Sequence, residues 1–318
     1  MKQVELTFVT VIVDTSAGQV GLVITQVFGL IGLLQWGIRQ WAELENQMTS
    51  VERIMEYAEI KCESKTGIEP DDWPGEGKVT FKNVHLRYPK THELILRDIN
   101  FTVNPGEKIG VVGRTGAGKT SLISALFRLY NLESGTITVD DVDIGIVSLK
   151  RLRGNVSIIP QNPVLFSGSL RSNLDPDGNY SDEQLWKTLD VIKMKNVCLS
   201  LEQKLDYTVS EGGFNFSSGQ RQLICLGRAL LRHNKIVVMD EATANVDPDT
   251  DVIIHELIKR EFVSCTVITI AHRLTSVLEC DKVMVIEAGS IVEFDEKDTL
   301  LDNKESIFYK MMSQAGLQ

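Results

Sequence analysis

A glycine-rich stretch in the first half of the chain has the residue types and spacing that hold phosphate groups. Residues 113–120 match G-x-x-x-x-G-K-[ST], in which glycines let backbone N–H groups turn toward phosphate and the following helix adds its partial positive charge. Lys119 would reach the β- and γ-phosphates, and the Thr120 hydroxyl would hold Mg²⁺. The residues expected to line the phosphates are Gly113, Arg114, Thr115, Gly116, Ala117, Gly118, Lys119, Thr120 and Ser121. This pattern predicts a site for a nucleoside triphosphate.

The segments on either side of this loop decide between a phosphate site and an ordinary glycine turn. Residues 107–112 form a short apolar run that is typical of a strand, and residues 121–129 repeat apolar side chains at helical spacing. A strand, a glycine loop and a helix are the context that the phosphate-binding motif requires. The flanks therefore favour the phosphate loop over a glycine turn that merely precedes a helix.

An acidic pair follows a second apolar run. Residues 237–239 are apolar and precede Asp240 and Glu241, so a buried strand would deliver both carboxylates to the edge of a sheet. Asp240 beside the phosphate loop could organise Mg²⁺, and Glu241 could polarise a water molecule in line with the γ-phosphate. An acidic pair that only opens a loop is the alternative, and the presence of a phosphate loop makes it the weaker one.

Composition places the chain among ordinary globular proteins and limits its partners. Its 318 residues could form two domains, with 43% hydrophobic and 24% charged residues. The formal net charge of -10 argues against nucleic acid as a partner, since neutralising phosphates requires a basic surface. The five cysteines show neither C-x-x-C nor a histidine spacing suited to zinc, so we expect free thiols in a reducing cytosol.

The first 60 residues differ in kind from the rest and predict the end of a transmembrane domain. Residues 18–38 contain no charged side chain, and these 21 residues are long enough to cross about 30 Å of hydrocarbon as a helix. Trp36, Arg39 and Trp41 stand near the end of this run, where aromatic and basic residues favour the interface with water. A buried core helix is the alternative, whereas a signal peptide is disfavoured because no cleavage site of small residues follows.

A second, shorter apolar run occupies residues 6–13 and stops at Asp14. One complete span and a fragment of another cannot enclose a pathway through a membrane, so we expect further membrane helices to be supplied from elsewhere. The position of this interrupted run at the start of the chain suggests a truncated product or a partial gene model.

The remaining pattern predicts a linker and then an α/β domain. Residues 43–60 are amphipathic and read as a cytosolic continuation of the membrane helix, and residues 61–78 carry the prolines, glycines and acidic residues of a linker. From residue 79 to residue 318, predicted strands alternate with helices, and residues 169–205 show a run of helix signals. We expect a parallel-rich sheet covered by helices, a mostly helical insertion and a final hairpin around Ala288 and Gly289.

Five further features, spread along the chain, resemble the ATP-binding-cassette family. They are Tyr88, Gln161, the run Phe216, Ser217, Ser218, Gly219 and Gln220, the run Ala244, Asn245, Val246 and Asp247, and His272. In this family such residues form, in the same order, the aromatic stack on adenine, the Q-loop, the L-S-G-G-Q signature, the D-loop and the switch histidine. Taken singly, Tyr88 could be a core residue, Gln161 a turn residue and His272 a buried structural histidine. Their joint order and spacing favour the family.

The resemblance covers residues 79–318, and residues 18–60 match the family's last membrane helix with its cytosolic extension. It implies a P-loop NTPase cassette with a parallel-rich sheet, an antiparallel β subdomain and a helical insertion, preceded by a transmembrane helix. It also implies that ATP and Mg²⁺ are bound. The metal ligands would be Thr120, Gln161 and Asp240, and the catalytic residues would be Glu241, His272, Lys119 and Gln161.

In this family two cassettes pair head to tail, and each ATP lies between one phosphate loop and the partner's signature. Ser217, Gly219 and Gln220 would therefore meet ATP that is held by a second cassette. The resemblance thus implies two kinds of partner, a second cassette and additional transmembrane helices, and no nucleic acid.

Three segments of the sequence resemble the C subfamily of multidrug-resistance-associated transporters, and specifically the second, C-terminal cassette of these proteins. Residues 112–119, 158–166 and 240–247 carry this likeness. Two residues depart from the signature, because Phe216 stands where the family usually has Leu and Ser218 where it usually has Gly. Since Ser218 is bulkier than glycine, it could crowd the partner's γ-phosphate. We therefore expect one degenerate site, and one active site built on Lys119, Asp240 and Glu241.

The resemblance implies an exporter that uses ATP hydrolysis to move organic anions and xenobiotics across a membrane. The protein would be integral to the plasma membrane, in contact with lipid, with the cassette in the cytoplasm. An ATP-gated channel or a regulator of channels is the alternative within the subfamily, and the intact Glu241 favours turnover. A soluble cassette ATPase fits the uncharged residues 18–38 poorly. A GTPase is disfavoured because residues 303–306 fail the N-K-x-D pattern at its last position.

Overall fold

The computed structural model describes residues 17–60, 62–64, 66–89, 91–240, 246–271 and 273–316. The chain divides into two compact units, Met1–Glu63 and Ser64–Gln318. Within the described residues, the first unit contains one helix, α1 (Ala17–Glu59), which is 43 residues long.

Helix α1 is long and apolar enough to cross a membrane, judged by length and composition. The predicted span over residues 18–38 and most of the amphipathic stretch from residue 43 lie within this uninterrupted helix. Its apolar side chains are exposed, with Phe28 at 69% and Trp36 at 63%, as expected of side chains that face lipid or other helices. The predicted apolar run at residues 6–13 lies outside the described part of the chain.

The second unit is built on a six-stranded, mostly parallel sheet. Its strands are β3 (Lys108–Val112), β6 (Val156–Ile159), β9 (Ile236–Asp240), β10 (Thr266–Ile270), β11 (Lys282–Glu287) and β12 (Ser290–Glu296). Their spatial order is β12-β11-β3-β10-β9-β6, in which β12 runs antiparallel to β11 and the other five are parallel. All five residues of β10 are buried, because a parallel strand in the middle of such a sheet is covered on both faces. The predicted parallel-rich sheet is confirmed.

A smaller antiparallel sheet packs into the same hydrophobic core. Its strands are β1 (Val79–Leu86), β2 (Leu96–Val103), β4 (Leu132–Val139) and β5 (Val142–Asp143), in the order β2-β1-β4-β5. Phe81 and Phe101 stack across β1 and β2 with ring centroids 4.4 Å apart, and both belong to the core that also buries Leu122 and Leu126 of helix α2 (Lys119–Leu126). The antiparallel subdomain that the family resemblance implied is therefore present.

A mostly helical insertion lies between β6 and β9 and shares a second hydrophobic core with one face of the main sheet, including Ile159, Val237 and Val267. Its elements are β7 (Gly168–Ser169), α4 (Leu170–Leu174), α5 (Asp182–Val191), α6 (Lys195–Ser200), a 3₁₀ turn (Lys204–Asp206), β8 (Thr208–Val209), a second 3₁₀ turn (Glu211–Gly213) and α7 (Ser218–Arg232); α3 (Leu149–Asn155) precedes β6. Ser181 and Gln184 form a reciprocal capping box at the start of α5, within the predicted run of helix signals over residues 169–205. The short β7–β8 pairing was not predicted, since two-residue strands carry no periodicity.

The chain ends in helices that the sequence pattern did not predict. After α8 (Pro248–Glu261) and a 3₁₀ turn (Leu274–Val277), the last elements are α9 (Lys297–Asp302) and α10 (Ile307–Gln314). The Glu293 carboxylate accepts hydrogen bonds from Ser306 Oγ at 2.9 Å and from the Ile307 N–H at 2.7 Å, which fixes the start of α10. Helices this short depend on tertiary contacts of this kind, because isolated helices of this length are marginal in water.

Part of the predicted linker is ordered against the antiparallel sheet. Trp73 is 5% exposed and its Nε1 donates to the carbonyl of Val139 at 2.9 Å. The Asp140 carboxylate accepts from the N–H groups of Gly77 at 2.9 Å and Lys78 at 2.7 Å. These contacts place residues 73–78 on the end of β4.

All five cysteines are free, as the sequence predicted. Cys62 is exposed and the other four are buried. Burial raises the pKa of the Cys198 thiol to about 11 and, with the neighbouring carboxylates of Asp281 and Glu279, that of Cys280 to about 12. These two thiols are therefore protonated at neutral pH and serve as small core residues.

Candidate functional site

The carboxyl edge of the main sheet gathers the sequence-predicted residues from separate parts of the chain. The phosphate loop follows β3, Gln161 follows β6, and Asp240 is the last residue of β9. The register brings these ends level, because Ile270 of β10 pairs with Val111 on one side and with Asp240 on the other. This edge is where open α/β sheets bind their ligands.

Glycines in the phosphate loop hold backbone conformations that L side chains rarely adopt. Gly113 has φ +154° and a Cβ there would collide with the carbonyl of Ile286, while Gly116 has φ +83° in open space. Gly118 has φ +108°, and a Cβ there would lie 3.1 Å from Leu96. The loop therefore depends on glycine both for its turns and for its close approach to β2 and β11.

Lys119 begins helix α2 and points back over the loop. Its Nζ donates to the carbonyl of Gly113 at 2.6 Å and to that of Arg114 at 3.1 Å, and the residue is only 4% exposed. Because Gly118 is the N-cap, no side chain at that position competes for the first N–H groups of the helix. A buried ammonium beside an uncapped helix N-terminus is suited to a polyphosphate.

The three predicted metal ligands offer hard oxygen donors of different kinds. Thr120 is exposed, Gln161 is exposed, and Asp240 is half-buried at the end of β9. Within the described residues, no group of three His, Cys, Asp or Glu side chains forms a self-contained metal site. One carboxylate with a hydroxyl and an amide fits Mg²⁺, which keeps waters and takes further ligands from phosphate rather than from a full protein cage.

Tyr88 lies beside the first turn of α2. Its hydroxyl and the Ser121 hydroxyl are 2.8 Å apart and share a hydrogen bond, and its ring meets Tyr130 edge-on with centroids 4.6 Å apart. Tyr88 is half-buried, whereas Ser121 is buried. The structure therefore brings Tyr88 to the phosphate loop, and its contact with adenine remains a prediction.

The signature residues stand on a separate element, at the start of α7. Ser217 is the N-cap, and its Oγ accepts from the Gln220 N–H at 3.2 Å while Gln220 Oε1 accepts from the Ser217 N–H at 3.0 Å. Phe216 is 5% exposed and meets Tyr207 edge-on at 5.9 Å between ring centroids. The departure from leucine at Phe216 is thus a core packing change, while the half-buried Ser218 occupies the first helical position.

The fourth residue of the signature packs against the start of α8. A Cβ on Gly219 would lie 3.0 Å from the Thr250 side chain and 3.1 Å from Asp247 Oδ1. Asp247 caps α8 by accepting from the Thr250 N–H at 3.0 Å, and hydrogen bonds from Thr250 hold the pKa of Asp247 below its usual value. The signature and the end of the predicted D-loop are therefore in direct contact. Glu241, Ala244, Asn245 and His272 lie outside the described residues.

Sequence patterns missed the role of the final hairpin in supporting the phosphate loop. The Gly289 N–H donates to the Ala117 carbonyl at 2.9 Å, and the Gly289 carbonyl accepts from the Arg97 N–H at 2.8 Å. Gly289 has φ +84°, and a Cβ there would collide with the carbonyl of Ile95. The glycine was predicted as a turn residue, but no sequence signal indicates which loop that turn supports.

Replacing Gly289 by alanine is expected to weaken ATP binding about tenfold, because the left-handed backbone costs an alanine about 1–2 kcal/mol and the Cβ pushes the hairpin from the loop. Titration with a fluorescent ATP analogue measures the effect. Gly106→Ala is the matched control, since Gly106 also has positive φ, +74°, but nothing lies within 4 Å of its Cβ position. Equal losses in the two variants would contradict a supporting role for Gly289.

Comparison with known proteins places this geometry in a family. Residues 96–244 match the model of the ABC transporter family. The chain is 51% identical over 310 residues to the probable multidrug resistance-associated protein lethal(2)03659 of Drosophila melanogaster, covering 95% of this chain and 22% of that protein. It is 48% identical over 303 residues to human ATP-binding cassette sub-family C member 4, covering 94% and 23%.

A third relative, human ATP-binding cassette sub-family C member 2, is 47% identical over 309 residues, which is 96% of this chain and 20% of that protein. The chain thus spans about a fifth of the length of the curated relatives it matches. The structure and the sequence identity indicate the same family. The structural features are the phosphate loop after β3, the Asp240 carboxylate at the end of β9 and the capped signature helix α7. The chain carries an ATP-binding nucleotide-binding domain of the C subfamily of the ATP-binding-cassette family.

Proposed function

We propose that residues 79–318 are the ATP-hydrolysing cassette of an exporter that moves organic anions and xenobiotics across a membrane. The observation that carries this proposal is the meeting of the Lys119 loop, Gln161 and Asp240 at one edge of the main sheet. The Drosophila melanogaster relative has multidrug resistance in its name, which supports the export of xenobiotics. Residues 61–78 would connect the cassette to the transmembrane part, of which α1 is the last helix.

In the proposed mechanism, Lys119 and the N-terminus of α2 bind the β- and γ-phosphates, and Tyr88 stacks on adenine. Thr120, Gln161 and Asp240 would hold Mg²⁺, which supplies charge neutralisation on the phosphates when it is bound. Glu241, directly after Asp240, accepts a proton from the attacking water. His272 comes two residues after the end of β10 in the sequence and would contact the γ-phosphate.

The proposed partners follow from what one cassette lacks. Ser217 is exposed at the start of α7, so its side chain is accessible to ATP held by a second cassette. Head-to-tail pairing would give each site one phosphate loop and one signature. Further transmembrane helices would complete the pathway, with α1 among them in contact with lipid of the plasma membrane and the cassette in the cytoplasm.

Binding and hydrolysis of MgATP by residues 1–318 in detergent test the proposed function. Binding with turnover would mean that the chain completes its own site, as two copies. Binding without turnover would mean that the site requires a partner cassette's signature, which is the expected result for a C-terminal half. Absence of MgATP binding would overturn the proposal.

Ser218→Gly is expected to raise hydrolysis severalfold at the site that this signature serves, because glycine removes the side chain that crowds the partner's γ-phosphate. Turnover would be measured in the two-cassette assembly with Glu241→Gln present, so that only the partner's phosphate-loop site contributes. Ser218→Ala separates the hydroxyl from the Cβ as the source of crowding. Unchanged hydrolysis at the partner's phosphate-loop site after Ser218→Gly would exclude crowding.

A further inference from the structure

One buried side chain joins the signature helix to the Q-loop. Gln222 of α7 is 1% exposed, and its Nε2 donates to the carbonyl of Pro160 at 3.1 Å. Pro160 directly precedes Gln161, and 62 positions separate Pro160 from Gln222 along the chain. Gln222 Oε1 is also buried and accepts no hydrogen bond from the described residues.

The Gln222 contact lies where β6 ends and the Q-loop begins, and Arg228 of the same helix donates a second hydrogen bond farther along the loop, to the carbonyl of Val164 at 2.9 Å. β6 ends at Ile159, so the Pro160 carbonyl is the first backbone acceptor beyond the sheet, and proline has no N–H with which to anchor the turn. The side chain of Gln161 then leaves from the next residue. The Gln222 side chain therefore contacts the backbone residue that directly precedes Gln161.

The helix that carries Gln222 also carries the signature. Ser217 and Gln220 form the capping box of α7, and Gln222 lies within the following turn. α7 is a continuous helix of 15 residues that packs against β6, so its first two turns move together. One turn before Gln222, Gly219 allows the helix to approach the start of α8 closely, since a Cβ on Gly219 would lie 3.0 Å from the Thr250 side chain.

We propose that Gln222 is a positioning residue that couples the two nucleotide sites of the assembled transporter. This rests on the proposed function, in which the signature meets the partner's ATP and Gln161 holds Mg²⁺ in the chain's own site. Occupancy at the signature shifts α7, Gln222 transmits that shift to Pro160, and Gln161 moves relative to the metal. The Gln222–Pro160 hydrogen bond thereby couples Mg²⁺ binding in one site to nucleotide occupancy in the other.

Separate titrations of Mg²⁺ and of ATP on the full chain test whether Gln222 affects metal binding without affecting nucleotide binding. Gln222→Met keeps the volume of the side chain but cannot donate to Pro160. It is expected to raise the Mg²⁺ concentration for half-saturation of ATP-loaded protein about fivefold, the size of one hydrogen bond, and to leave ATP affinity in EDTA unchanged. The exposed Gln203→Met is the control and should change neither quantity.

The variant Gln222→Glu should restore Mg²⁺ binding at low pH, which a residue with only a packing role would not do. In Gln222→Glu the carboxyl is buried, which favours its neutral form, and a neutral carboxyl can donate to the Pro160 carbonyl. The Mg²⁺ half-saturation of this variant, divided by that of the wild type, should be near one at low pH and should rise as the carboxyl ionises. A ratio that does not depend on pH would overturn the proposal, and this arm remains decisive if Gln222→Met fails to fold.

A double-mutant cycle tests whether a change at the signature end of α7 affects Mg²⁺ binding through Gln222. Ser217→Ala removes the N-cap and should shift the Mg²⁺ half-saturation in the wild type, but not in the Gln222→Met background. Equal shifts in both backgrounds, or no shift in either, would overturn the coupling.

Gln161→Ala distinguishes failure of the proposed function from failure of the coupling. If this variant binds Mg²⁺ as the wild type does, the proposed metal role of Gln161 is wrong. If Gln161→Ala changes the Mg²⁺ half-saturation but Gln222→Met does not, only the coupling through Gln222 is wrong.

Discussion

Lys119→Met is expected to weaken MgATP binding at least about 100-fold, the largest loss of affinity predicted for this chain, because it removes a buried charge from the phosphates. The ammonium is 4% exposed and is held over the loop by the carbonyls of Gly113 and Arg114. Few waters can compensate there, so the phosphate charge would be left without its main protein partner. Isothermal titration with MgATP measures the change.

The methionine keeps the apolar stem of Lys119, so the fold of the loop should survive the substitution. Lys150→Met, an exposed lysine on α3, is the matched control and should bind ATP as the wild type does. The thermal midpoints of both variants without nucleotide should lie close to that of the wild type. Retained MgATP affinity in a folded Lys119→Met protein would contradict the assignment of residues 113–120 as the phosphate loop.

Glu241→Gln is expected to lower ATP hydrolysis by about 100-fold or more while MgATP binding is retained, since general bases contribute about 10²–10⁴ to such reactions. The amide has the size of the carboxylate but cannot accept the proton of the attacking water. Release of phosphate would be followed in the form of the protein that turns over, whether the chain alone or its assembly with a second cassette. Binding of MgATP would be titrated in parallel.

The control for Glu241 is another glutamate at the same edge of the sheet. Glu287 is the last residue of β11, which runs parallel to β3, and its side chain is exposed. Glu287→Gln should therefore hydrolyse ATP at the wild-type rate. Comparable losses in Glu241→Gln and Glu287→Gln would point to a general effect of charge at the edge, not to a base at residue 241.

Local sequence was sufficient for the elements whose signals are local. The glycines of residues 113–118 and the apolar runs at β9 and β10 depend on near neighbours, so the phosphate loop and the buried strands were predicted close to their observed bounds. Strand β4 reaches back to Leu132 because this residue pairs with Leu86 of β1, a contact that no local pattern indicates. The helices α9 and α10 were missed, since docking partners such as Glu293 decide whether such short segments become helical.

The sequence by itself determined that this chain binds a triphosphate, because a phosphate loop is a local backbone conformation that glycines, one lysine and one threonine specify. It also determined the family, since the signature and the Asp–Glu strand end are read directly from residue order. The tertiary structure alone decided which distant residues support these motifs: Tyr88 on Ser121, Gly289 on Ala117, and Gln222 on Pro160. Those contacts join residues 33 to 172 positions apart, and strand order and helix packing, which no local pattern encodes, determine them.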